Sequence, residues 1–220
     1  MNGFQSLELE VVMTKIGVMN YGSGNLLSII NVLNYYNIDF ELIDYSTKHY
    51  DRICAGYILP GVGSFKNAMD TLNESGLGEF IMKEVGNENK PILGICLGMQ
   101  LLFDSSTEGG GAKGLGLIKG SIQRFESLEY KVPHVGWNQV SILKNNILLP
   151  PSYKDFYFDH SFYVDTPEEN IVGKSKYIRE FASIVNEGRV FGVQFHPEKS
   201  QVYGTKIIHN FFSFCDKCNA

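Results

Sequence analysis

The apolar run over residues 91–95 (PILGI) passes without a break into Gly94-Ile95-Cys96-Leu97-Gly98, and helical spacing follows over residues 97–103. A buried strand that turns directly into a helix is the building unit of a parallel sheet, because the chain must cross over before the next strand can run the same way. Earlier segments repeat the unit. Residues 15–20 (KIGVMN) read as a strand, YGSGN (21–25) as a Gly-rich turn, and residues 26–36 as a helix carrying Leu26, Ile29, Ile30, Leu33 and Tyr36 at helical spacing. FELID (40–44) and AGYILP (55–60) are short strand-like runs, and residues 66–86 read as helical with a break near Gly76. This alternation predicts an α/β fold with a doubly wound, mostly parallel sheet.

The second half has another texture. IQRF (122–125), VGWNQVSIL (135–143), FYFDHSFYV (156–164) and SIVNEGRVFGVQF (183–195) read as strands, the last a pair joined by an Asn-Glu-Gly-Arg turn. They predict a smaller antiparallel portion, closed by a helix over residues 201–214. No repeat or linker divides the chain. One domain is expected over residues 13–220, with residues 1–12 an extension outside it; an alternative start codon and an appended sequence explain that extension equally well. Those first residues lack the basic and apolar stretches of a signal peptide.

Composition excludes some functions. The net charge of −5 gives no support to nucleic-acid binding, and no apolar run approaches the roughly 18 residues of a membrane span. Four scattered cysteines fit a reducing, cytoplasmic setting better than a disulfide scaffold. Cys215 and Cys218 form a CxxC, but no second ligand pair lies near it, so a coincidence at a helix end is the better reading than redox or metal chemistry.

Three motifs carry chemistry. Cys96 sits in a G-x-C-x-G, the nucleophile-elbow pattern with cysteine for serine. The following helix would aim its N–H groups and positive dipole end at the sulfur, favouring a thiolate. Alone, the motif competes evenly with a buried structural cysteine. His196-Pro197-Glu198 follows the strand-like VFGVQF. Proline holds its predecessor extended, and residues i and i+2 of an extended segment share a face, so Glu198 is predicted to orient His196 as in a catalytic triad. Alone, a surface loop without a role would be the better reading. Pro60-Gly61-Val62-Gly63-Ser64 offers backbone N–H groups to an anion, as an oxyanion hole or a phosphate loop would, but lacks the lysine of a P-loop. Ligands of open α/β sheets bind beyond the carboxyl ends of the strands, where this loop and Cys96 are both predicted to lie.

Together, elbow cysteine, His-Pro-Glu and glycine loop resemble the class I (triad) glutamine amidotransferases, a family with a flavodoxin-like fold. MNYGSGNL, LPGVGSF, GICLGMQLLF, VPHVGWN, YFDHSFY and GVQFHPEKS match in order over nearly the whole chain from Met13. PHVGWN and NYGSGNL narrow the match to a glutaminase subunit that serves a separate synthase. The resemblance implies a triad of Cys96, His196 and Glu198, with an oxyanion hole from Leu97 and Val62 or Gly63. It implies glutamine binding by Gln100, His160 and Ser161, and no cofactor or metal. Asn25, Trp137, Asn138 and Lys199 would face a cyclase partner, a (β/α)₈ barrel paired as a heterodimer. That partner would receive the ammonia and close an imidazole ring in histidine biosynthesis. Asn20 stands where many relatives carry Asp, and Asp159 where they carry an apolar residue. Three other readings compete with this one: a paralogous subunit feeding ammonia to another synthetase, such as one modifying surface sugars; a stand-alone cysteine γ-glutamyl hydrolase, which would leave GWN and YGSGN unexplained; and an inactive binding subunit, which the intact triad argues against.

Overall fold

The computed structural model describes residues 14–22, 24–44 and 54–219; the extension over residues 1–12 and Ser23 of the YGSGN turn lie outside the described residues. The chain alternates β1 (Ile16–Met19), α1 (Leu26–Tyr35), β2 (Phe40–Ile43), β3 (Gly56–Leu59), α2 (Phe65–Glu74), α3 (Leu77–Ile81), a π-helical turn (Met82–Asn87), β4 (Ile92–Ile95) and α4 (Leu97–Leu101). β5 (Phe103–Ser106), β6 (Ala112–Lys113), β7 (Ile118–Arg124), β8 (His134–Ile142), β9 (Ser152–His160), β10 (Phe162–Asp165), β11 (Ile171–Lys176), β12 (Glu180–Glu187), β13 (Val190–Val193) and α5 (Gln201–Asn219) follow.

Nine strands form one sheet in the order β2-β1-β3-β4-β13-β12-β11-β8-β9. Pairing is parallel from β2 to β13 and antiparallel from β13 to β9, so the antiparallel portion continues the parallel sheet. A second sheet runs β10-β7-β5-β6.

The parallel strands are apolar at nearly every position because they are covered on both faces. Ile16, Val18, Ile58, Leu93, Ile95 and Val193 point into a cluster with Ile29, Leu33, Ile208 and Phe211 of α1 and α5. Their alternate neighbours Met19, Tyr57, Leu59 and Ile92 point the other way, toward Phe65, Leu72, Leu97, Met99 and Phe103. Each such fully buried side chain stabilises the fold by about 1.5–3 kcal/mol. On α1 the buried residues are Ile29, Val32 and Leu33, one turn apart on a single face. The predicted break at Gly76 is real: this glycine adopts φ 77° between α2 and α3. Gly188, at φ 58°, closes the β12–β13 hairpin.

Three expectations about these elements need correction, and some strands escape prediction. The helix predicted over residues 97–103 ends at Leu101, because Phe103 already belongs to β5 of the second sheet. FYFDHSFYV is two strands, not one. The chain leaves β9 at His160 and enters β10 at Phe162, so Ser161 is the crossing point between the sheets. The strand β11 is not predicted, because IVGKSK mixes apolar and basic residues over a short span. The last helix extends to Asn219, beyond the expected residue 214.

Candidate active site

Strands β3, β4 and β13 are adjacent and parallel, so the segments that follow them emerge side by side at one sheet edge. These segments are Pro60–Ser64, Cys96 and Gln194–His196. The expected meeting of glycine loop and cysteine at the carboxyl edge is therefore present, and His196 joins them.

Cys96 has φ 53° and ψ −110°, a strained left-handed conformation for a residue with a Cβ. Its backbone N–H donates to the Val193 carbonyl at 2.8 Å, and its carbonyl accepts from Gln100 N–H at 3.2 Å as α4 begins. The glycines flanking it permit this turn by close approach. A Cβ on Gly98 would collide with the Leu59 carbonyl, and one on Gly94 would lie 2.7 Å from the Met99 Cα. The sulfur is 3.8 Å from the Asp159 carbonyl oxygen, and Gln194 Nε2 lies 3.7 Å from it.

His196 is extended, with φ −95° and ψ 97°, but Glu198 is not in the extended run that the sequence predicts. Pro197 begins a 3₁₀ turn over Pro197–Lys199, its fixed φ suiting a first helical position. That turn folds the carboxylate back, and Glu198 Oε1 accepts from His196 Nδ1 at 2.9 Å. The segment is tied to the edge strand β9: His196 N–H donates to Tyr157 O at 2.9 Å, and Ser200 Oγ accepts from Tyr157 N–H and donates to His196 O. Burial disfavours a charge on His196. Hydrogen bonds and charge attraction from Cys96 and Glu198 outweigh it and hold the imidazole up at about 10, so it is a cation at neutral pH.

One cavity of about 250 Å³ gathers these parts. Its wall contains Cys96, His196, Val62, Gly63, Leu97, Gln100, His160, Ser161 and Lys199, so every expected triad, oxyanion and glutamine residue except Glu198 borders it directly. Glu198 stands behind His196, its side chain only 1% exposed. Gly63 has φ 101°, while Val62 is exposed. Gln100 is nearly buried, and its Nε2 donates to the Phe162 carbonyl at 3.3 Å and to Gln194 Oε1 at 3.0 Å. The cavity also takes in Glu108, Pro133 and Phe162, and Gln194 stands at the sulfur; none of these four is among the residues expected from the sequence. A lone glutamine inside the buried run VFGVQF is a usable signal for Gln194. Glu108 carries none, since folding alone brings it near Cys96.

Trp137 and Asn138 lie on β8, where Val135 and Trp137 present exposed apolar surface on one face of the strand. The Lys199 ammonium sits 5.7 Å above the Tyr157 ring, and that ring meets Trp137 edge-on. Asn25 precedes α1, which packs against the Pro197–Lys199 turn. Of the CxxC, Cys215 is buried against Gly56 and Cys218 is partly exposed one turn later in α5; both are free thiols. Among the described residues no group of three or more His, Cys, Asp or Glu is arranged to hold a metal ion, and no helix is long and apolar enough to cross a membrane.

Residues 18–214 match the family model "Glutamine amidotransferase class-I". The chain is 46% identical over 198 residues to the imidazole glycerol phosphate synthase subunit HisH of Methanocaldococcus jannaschii, covering 89% of this chain and 97% of that protein. It is 42% identical over 208 residues to the protein of the same name from Bacillus licheniformis, covering 90% and 96%. Its fold is similar to the solved structure of PurLQS from Thermotoga maritima. The TM-score is 0.67 at 19% identity, covering 92% of this chain and 99% of that one.

Proposed function

This chain belongs to the class-I glutamine amidotransferase family, and we propose that it is the glutaminase subunit of an imidazole glycerol phosphate synthase. It hydrolyses glutamine to glutamate and ammonia, and the ammonia passes to a cyclase subunit in histidine biosynthesis. The observation that carries the reading is the convergence of Cys96, the His196–Glu198 pair and the glycine loop on one cavity.

In the proposed mechanism the Cys96 thiolate attacks the carbonyl carbon of the glutamine side chain. The resulting oxyanion is held by the Leu97 N–H at the start of α4 and by an N–H of Val62 or Gly63. His196, charged and held by Glu198 through Nδ1, has Nε2 left to face the sulfur. It gives a proton to the departing ammonia, leaving a γ-glutamyl thioester on Cys96. It then takes a proton from water as the water attacks the thioester, which releases glutamate and the free sulfur. Gln100, His160 and Ser161 shape the pocket for glutamine. Glu108, whose carboxylate accepts from the Phe65 N–H at 2.6 Å on the cavity wall, suits the substrate's ammonium group.

The partner is proposed to be a (β/α)₈ barrel bound as a heterodimer over Asn25, Trp137, Asn138 and Lys199. Exposed Val135 and Trp137 supply the apolar surface that such an interface needs. The four unpaired cysteines suit a reducing cytoplasm.

A glutaminase running without its partner would lose ammonia to solvent, so the isolated chain is expected to be nearly silent. Glycine on both sides of Val62 lets a peptide of the loop rotate at little cost, withholding one oxyanion donor until the partner docks. Recruiting one donor is worth roughly a hundred- to a thousandfold in rate. Adding a candidate cyclase, stripped of its own tryptophans and carrying an acceptor analogue, should raise glutamine hydrolysis by at least about a hundredfold. The emission of Trp137, the sole tryptophan of this chain, should shift as it is covered. Full hydrolysis by the chain alone would refute the brake. An unchanged spectrum with strong activation would remove Trp137 from the interface.

A further inference from the structure

His134 is buried at 4% exposure, stacked between Tyr177 at 4.1 Å and Phe158 at 4.9 Å, and the proposed reaction does not use it. It lies in a chain of hydrogen bonds whose two ends fix its direction. At one end His160 Nδ1 is 2.7 Å from the Phe162 carbonyl, which can only accept, so Nδ1 carries a hydrogen. At the other end Asn138 Nδ2 is 3.2 Å from His134 Nε2. The amide is oriented by its other contacts: Nδ2 donates to Lys176 O at 2.9 Å, and Oδ1 accepts from Gln139 N–H at 2.8 Å. Nδ2 can only donate, so His134 Nε2 is bare. Between them His134 Nδ1 stands 2.9 Å from His160 Nε2. One arrangement satisfies all three contacts: both rings neutral, both protonated at Nδ1, with His134 donating to His160. A third proton on either ring would set two N–H groups face to face.

The last acceptor is also part of the cavity. The Phe162 carbonyl takes a second bond from Gln100 Nε2, whose partner Gln194 reaches the Cys96 sulfur. His160, Ser161 and Phe162 form the crossing between the two sheets and line the same cavity as Cys96.

We propose that His134 is a positioning residue for the glutamine pocket: its Nδ1–H locks the His160 tautomer, which pins the Phe162 carbonyl, the bend at Ser161 and the aim of Gln100. This rests on the reading of the cavity as the glutamine site. Burial agrees with the neutral pair, pushing His160 down to about 3 and His134 down to about 4.

The test compares His134→Phe, which keeps the aromatic stack and removes the donor, with His134→Gln, which keeps an amide donor. Both are assayed in the full complex with the cyclase partner. A buried acceptor left unpaired predicts that His134→Phe raises the KM for glutamine about ten- to a hundredfold with kcat little changed. His134→Gln should recover most of that loss, and synthesis from ammonium salts should be unaffected in both. Nitrogen-15 NMR of the wild-type chain should show His160 protonated at Nδ1 alone. An unchanged KM in His134→Phe, or a loss confined to kcat, would overturn the proposal. So would a His160 proton on Nε2 in the wild type, a result that stands even if the variant does not fold. A wild-type complex that hydrolyses no glutamine would instead overturn the proposed function, with the tautomer still readable.

Discussion

Replacing Cys96 by alanine should lower glutamine-dependent synthesis in the reconstituted complex by roughly 10⁴- to 10⁶-fold, the usual cost of removing a triad member. Synthesis from added ammonium salts should remain close to that of the wild type. The separation follows from the fold. Cys96 lies at the carboxyl edge of β4, inside the cavity formed by this chain's own strands, and in the proposed mechanism it touches only the ammonia donor. Alanine keeps a Cβ at the strained elbow and removes one sulfur, so the turn between Gly94 and Gly98 should persist. Rates measured with glutamine and with ammonium on the same preparation check this. Equal loss of both would mean that Cys96 acts on partner docking or on the fold.

His196→Ala should be comparably damaging, and Glu198→Gln less so. Removing the base of a triad costs about 10⁶-fold and removing the orienting carboxylate about 10⁴-fold. A glutamine at position 198 can still accept from His196 Nδ1, so Glu198→Gln should fall at or short of the smaller figure. Its loss should come with a change in charge state. In the wild type, burial opposes the imidazolium, while Cys96 and Glu198 raise it to about 10. The raised group contributes stability that is fully present below its ordinary value near 6.5 and is lost as pH climbs through about 10. Denaturant unfolding should therefore show the wild type losing stability over that window and Glu198→Gln losing less. Equal glutaminase loss in two folded variants, with the same pH profile, would count against Glu198 as the orienter.

What is legible in the sequence is what neighbours along the chain determine. The elbow follows from glycines that allow backbones to meet at Leu59 and Met99, and a strand running into a helix leaves its mark over ten residues. The His196–Glu198 contact is also legible, although it is made by a 3₁₀ turn and not by an extended segment. Hidden from the sequence are relations made by the sheet crossing. FYFDHSFYV looks like one strand because both of its halves are apolar and aromatic, yet Ser161 sends them to different sheets. The Asp159 carbonyl just before that crossing meets the Cys96 sulfur, and the β8–β9 register sets His160 opposite His134. Glu108 reaches the same cavity in the turn after β5, where its carboxylate meets the Phe65 N–H of α2, and no local pattern announces it.

The most direct test of the proposed chemistry is to treat the chain in complex with its cyclase partner with a glutamine analogue bearing an electrophile at the side-chain carbonyl, then to map the modified peptides of this chain. Cys96 should be labelled, because it faces the cavity at the start of α4 beside the charged His196. Cys54 should stay unmodified, since burial first, and then the nearby Glu41, push its thiol up to about 11; burial likewise pushes Cys215 up. Cys218 is partly exposed and controls for simple access. Selective modification of Cys96, prevented by excess glutamine, is the predicted result. Labelling of all four cysteines alike, or of Cys218 ahead of Cys96, would contradict it.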